Sequence, residues 1–139
     1  MASQNVQLVH RWFDEIWTKG DLSAIDELLS PDAKIHGLGE TDRGTESHQS
    51  FKDFVSGFRA AFSDINIVVE QTVEEGDMVA SRWIATMTSN GAGQVKVTGM
   101  SMGRFRDGQM IEGWNNWDEA GLTAQLQTAP RAINLLPEK

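Results

Sequence analysis

The stretch from Gly108 to Asp118, GQMIEGWNNWD, gathers two carboxylates and two indoles among amides. It reads as the last long strand of a sheet. Residues two apart in a strand share a face. Met110, Glu112, Trp114, Asn116 and Asp118 are therefore expected on one face, with Ile111, Gly113, Asn115 and Trp117 on the other. The first face is wrong for a plain core and suits a pocket wall, where apolar surface surrounds a few placed polar groups. Asp118 is the leading candidate for chemistry. A carboxylate in an apolar pocket can take and return a proton, because desolvation raises its pKa toward neutrality. The alternative is that Asp118 caps a closing helix near Gly121.

His36 is the second catalytic candidate. It ends a short apolar segment before a glycine-bearing loop, and its imidazole could hold an enolate or pass a proton. The alternative is a half-buried histidine bonded to backbone. Asn116 could donate to a substrate carbonyl as an oxyanion donor, or satisfy polar groups between strands. Glu112 would lie deeper on the same face, with Arg82 or Arg104 as its partner if buried. Trp114, Trp83, Met87, Met100 and Met102 are expected to line or back the pocket, although each could equally be ordinary core. Trp17 and Phe58 join the expected substrate-binding set from two helical stripes. His10 is expected at the surface and His48 at a helix start. The three histidines lack the spacing of a metal site, so no metal is expected.

The elements that must position these residues follow from periodicity. Val6, Val9, Trp12, Phe13, Ile16 and Trp17 give a helical pattern over residues 4–19, with Ser3 as cap and Lys19-Gly20 as stop. Asp21 opens a second short helix carrying Leu22, Ile25, Leu28 and Leu29. A short strand is expected over 33–36 and a polar loop over 37–47. A third helix spans about 47–62, with Phe51, Phe54, Val55, Phe58 and Phe62 as an aromatic stripe. From Asp64 the period drops to two. Strands are expected over 65–74, 78–88 and 94–106, separated by Gly76-Asp77 and by 89–93. Asp107-Gly108 is a two-residue hairpin signal, leading into the strand described first. Residues 120–127 read as a closing helix, and 128–139 as a loosely ordered tail. Helices first and a strand meander after them predict an α+β fold, with helices on one face of a curved, mainly antiparallel sheet.

At 139 residues the chain reads as a single domain, 1–139. A formal charge of −8, with 12 scattered Lys and Arg, opposes a nucleic-acid surface. No run of about 18 apolar residues predicts a membrane span. The first residues lack the regions of a secretory leader. With zero cysteines as well, the expected location is the cytoplasm, without thiolate chemistry.

Several segments resemble the SnoaL-like polyketide and ester cyclase branch of the NTF2-like superfamily. They are Trp12-Phe13 with Gly20-Asp21, Ser30-Pro31-Asp32, FRAAFSD from Phe58 to Asp64, and EGDMVASRW from Glu75 to Trp83. Thr98-Gly99-Met100, Phe105-Arg106-Asp107-Gly108, Ile111-Glu112-Gly113-Trp114 through Asp118, and Gly121-Leu122 complete the set. The resemblance implies a cone-shaped α+β barrel around an apolar pocket, and a homodimer through the outer sheet face. It implies ring closure of a hydrophobic carbonyl compound by intramolecular aldol condensation, without metal or cofactor. Asp118 matches the family's acid/base, and His36 falls at the pocket mouth. The dimer contact is expected from Ile111, Asn115, Trp117 and the facing residues of 65–73. One departure is plain: Thr98-Gly99-Met100-Ser101-Met102 lacks the histidine that some cyclases carry on that strand.

Three other functions compete. A non-catalytic protein holding a small apolar ligand would need the same pocket. An epoxide-hydrolase-like reading needs acids where this chain has Ile84 and Asn116. A ketosteroid-isomerase-like reading needs a tyrosine, and the chain has none.

Overall fold

The computed structural model describes residues 2–38 and 48–128. Most of the expected 37–47 loop and of the expected 128–139 tail lies outside them. Helix α1, Gln4–Arg11, starts where Ser3 accepts a hydrogen bond from the Val6 amide. The sequence pattern predicts one continuous helix here, but the chain widens into a π-helical segment, Trp12–Thr18. Its Lys19 amide bonds the Asp14 carbonyl five residues back. All four bulky side chains of this segment, Trp12, Phe13, Ile16 and Trp17, are buried. Arg59 closes its end by donating to the carbonyls of Trp17 and Thr18, at 2.6 and 3.0 Å. Gly20 follows with φ of +73°, and a side chain there would collide with Arg59.

Helix α2, Ser23–Leu28, is short, and strand β1, Leu29–His36, begins earlier than expected. Helix α3, His48–Ala61, leads into strands β2, Phe62–Glu75, β3, Met78–Ser89, β4, Gly93–Arg106, and β5, Gln109–Trp117. Helix α4, Glu119–Thr128, closes the described chain. The sheet order is β1-β5-β4-β3-β2. Strands β2 to β5 form the expected antiparallel meander, while β1 joins β5 in parallel. The α+β architecture, N-terminal helices on a curved and mostly antiparallel sheet, is the expected one. The core lies between the helices and one sheet face.

Two bulges decide which side chains reach that core. Asp107 and Gly108, with φ of +51° and +80°, form the hairpin. It pairs Arg106 with Gln109 and Phe105 with Met110. The next pair is Arg104 with Glu112, so Ile111 is an extra residue. Beyond it the alternation reverses: Gly113, Asn115 and Trp117 face inward, while Glu112, Trp114 and Asn116 face outward. This corrects the expected face assignment of β5. Continuing the period without the bulge would drive Glu112 into an apolar interior, at a cost of several kcal/mol. A second bulge leaves Glu70 unpaired between Val69–Trp83 and Gln71–Arg82. It turns Val73 outward, where it is 63% exposed.

Candidate functional site

Between the helices and the inner sheet face lies an apolar cavity of about 470 Å³. This lies within the range of small-molecule sites. Its helical wall is aromatic. Trp12 stacks on Phe51 at 5.3 Å, and Trp17 meets Phe51, Phe54 and Phe58 edge-on at 5.6–6.0 Å. Phe13 reaches across to Trp83 on β3 at 5.9 Å. The sheet wall carries a narrow polar strip. Trp83 Nε1 donates to Ser101 Oγ at 2.9 Å, and Ser101 Oγ lies 2.7 Å from Asn115 Oδ1. Asn115 Nδ2 donates to the His36 carbonyl at 3.0 Å. Ser81 donates to the Ser101 carbonyl at 3.4 Å. Gly37, φ +84°, lets β1 pass against Asn115, whose backbone oxygen a Cβ there would strike. Glu119, the first residue of α4, borders the cavity from its exposed position. Among the described lining residues it is the ionisable one.

Of the residues expected in the sequence to line the pocket, Trp17, Phe58, Trp83 and Met87 line this cavity. Met102 borders it, but its side chain belongs to the outward row of β4 and the residue is 40% exposed. Met100 is 60% exposed on the outer face. Trp114 and Asn116, expected in the pocket, follow the reversed alternation to the outside. Asn115 and Trp117, expected outside, line the cavity instead. No pattern in the strand alone reveals this exchange, because it originates in the bulge at Ile111.

Asp118 is also placed differently. It is exposed, and its Oδ1 accepts from the Gly121 amide at 2.9 Å, capping α4. The helix-capping alternative describes this geometry, and the desolvation that a proton-handling carboxylate needs is not supplied there. His36 faces outward as well. Its Nε2 lies 2.8 Å from Glu112 Oε2, and its ring stacks on Trp114 at 5.7 Å. The partner of Glu112 is therefore His36. Arg82 pairs with Glu70 at 2.6 Å, and Arg104 with Asp77 at 3.2 Å. His10 is exposed, and His48 bridges the Leu29 carbonyl and Asp26. Among the described residues no three His, Asp or Glu converge in a way that could hold a metal. No described helix is long and apolar enough to cross a membrane.

Residues 7–126 match the family described as SnoaL-like polyketide cyclase. The chain belongs to this family. Its fold superposes on the "putative polyketide cyclase" of Acidithiobacillus ferrooxidans with a TM-score of 0.84 at 25% identity, covering 93% of this chain and 98% of that one. It is similar to IdmH, a "putative polyketide cyclase" from Streptomyces antibioticus, with a TM-score of 0.76 and 29% identity over 89% and 99% of the chains. A Catenulispora acidiphila protein with a ketosteroid isomerase-like fold shares the fold alone. Its TM-score is 0.74 at 16% identity, over 85% and 90% of the chains. No curated protein matches the sequence. A cyclase-like role on a small molecule follows from the family.

Proposed function

We propose that the protein closes a ring on a hydrophobic, polyketide-like carbonyl compound by cofactor-independent aldol chemistry inside this cavity. The observation that carries the reading is an apolar chamber of about 470 Å³ with one polar strip across its sheet wall. Aromatic walls fold a flexible apolar chain into a compact shape, which removes much of the entropic barrier to ring closure. The Asn115 amide stabilises the oxygen on which negative charge develops. Glu119, exposed until a substrate covers the cavity rim that it borders, then takes the proton from the carbon next to one carbonyl. The resulting enolate carbon attacks a second carbonyl carbon, and the new alkoxide recovers the proton. Asp118 supports this reaction indirectly, by holding the first turn of α4.

The test is conversion of a linear poly-β-ketone thioester mimic, followed by liquid chromatography and mass spectrometry. The wild type should accelerate ring closure over buffer, and Glu119→Gln should lose most of that acceleration. Asp118→Asn should retain it. If the mimic binds but never cyclises faster, the second reading holds: a binding protein for apolar ligands. The solvated Asp118 favours that alternative.

We also propose a homodimer through the outer sheet face. There Val73, Ala80, Met102, Trp114 and His36 form one row across all five strands. Asn115 and Trp117 take no part in that contact, because they face the cavity. Sedimentation at a single 15.4 kDa species would contradict the dimer.

A further inference from the structure

The polar strip has a fixed direction. An indole N–H can only donate, and a backbone carbonyl can only accept. Trp83 stands at one end of the chain of hydrogen bonds and the His36 carbonyl at the other. Ser101 must therefore accept from Trp83 and give its own proton to Asn115 Oδ1, at 2.7 Å. The Asn115 amide is thereby held with its oxygen toward Ser101 and its nitrogen toward His36. Ser81 spends its proton on the Ser101 carbonyl. After this chain is satisfied, one N–H of Asn115 is left over for a ligand. Gly99 makes the arrangement possible, because a Cβ there would run into the Trp83 ring.

We infer that Asn115 is a directionally locked, single-proton donor that selects ligands carrying a neutral carbonyl oxygen over hydrocarbons and carboxylates of the same shape. This rests on the reading of the cavity as the substrate site, and it names what that site recognises. A carbonyl oxygen accepts the spare N–H without bringing a charge indoors. A carboxylate would exchange its hydration for one donor in an apolar chamber, which is strongly unfavourable. A hydrocarbon would leave the Asn115 N–H unsatisfied. Trp83 is a positioning residue. Without its N–H, Ser101 is free to turn its proton away, and Asn115 loses the partner that orients it.

The test uses three probes of one shape: 2-acetylnaphthalene, 2-ethylnaphthalene and 2-naphthoate, titrated against the full chain by calorimetry. The wild type should bind the ketone about tenfold more tightly than the hydrocarbon, and the carboxylate most weakly. Asn115→Leu should bring ketone and hydrocarbon within about twofold, with the hydrocarbon affinity retained. Trp83→Phe, which keeps an aromatic ring, should reduce the ketone preference to about threefold. A general packing defect would weaken both neutral probes equally and leave their ratio unchanged. Equal binding of ketone and hydrocarbon by the wild type overturns the inference, as does a preference for the carboxylate. So does an undiminished ketone preference in Asn115→Leu; if that variant fails to fold, the same result in Trp83→Phe decides. Failure of the wild type to bind any of the three overturns the cavity reading itself, and this inference with it.

Discussion

The two faces of one sheet make opposite use of the same five strands. The inner face lines an apolar cavity and holds its few polar groups in one chain, Trp83–Ser101–Asn115. The outer face carries the ion pairs Arg82–Glu70 and Arg104–Asp77 and the His36–Glu112 hydrogen bond, around exposed Met100, Met102 and Val73. Apart from Glu119 at the cavity rim, residues with conspicuous chemistry therefore sit away from the cavity, and inconspicuous ones sit inside it. The lesson is that residue type ranks candidates poorly when the face is unsettled. A histidine beside a glutamate is an outer brace here, whereas a serine and an asparagine make the inner recognition strip.

The most severe way to break this division is to delete Gly113, which follows the bulge and pairs with Gly103. With the bulge kept, Trp114 and Asn116 then swing inward while Asn115 and Trp117 turn outward; if the strand instead gives up the bulge, Ile111 pairs with Arg104 and Glu112 swings inward. Burying either Asn116 or Glu112 costs several kcal/mol, comparable with the stability of a whole domain. The expected outcome is loss of cooperative thermal unfolding, read by circular dichroism. An unchanged melting curve would mean that the register of β5 does not partition the two faces.

Next in size is Phe51→Ala. Phe51 is 1% exposed and contacts both Trp12 and Trp17. Its loss should cost about 3–5 kcal/mol and lower Tm by about 10 °C. A denaturant titration measures this, and a cost below about 1 kcal/mol would show that the aromatic wall is loosely packed.

Asp118→Ala sharpens the comparison at the edge between the two faces. Losing the α4 cap should cost about 1 kcal/mol, while ligand affinity stays unchanged. Chemical denaturation and ligand titration on the same variant separate the two effects. A large loss of affinity with little loss of stability would return Asp118 to the cavity.

The smallest effect concerns exposed carboxylates on α2 and just before it. The Asp26 carboxyl is held below its ordinary range chiefly by a hydrogen bond from Lys52, and that of Glu27 by one from Arg11. Ser23 holds that of Asp21 down in the same way. Groups with depressed folded-state pKa values stabilise above the ordinary carboxylate range, and that stability is lost as pH falls through the folded values. Tm should therefore be nearly flat near neutrality and fall only in acid. Salt should flatten the contribution of the Lys52 and Arg11 pairs, because exposed pairs are screened. A midpoint that drops with rising pH near neutrality would contradict the assignment.

The sequence by itself determined the elements and the family. Helical spacing located the two amphipathic helical regions and the aromatic stripe of α3. Alternation located the meander, and Asp107-Gly108 located the hairpin that Asp107 and Gly108 do form. The motifs from Trp12 to Leu122 carried the resemblance that the match over 7–126 supports. These signals are local: each depends on residues within one element or one turn. Which face of β5 meets the cavity was decided by the tertiary structure. A period of two says only which residues lie together while the ladder is unbroken. Whether Ile111 pairs or bulges depends on β4, where Arg104 meets Glu112, and on the cost of burying that carboxylate. The widening of the first helix at Trp12, and the bonding of Asp118 to α4 rather than to the cavity, were settled in the same way. Each depends on a partner that no spacing within the element can reveal.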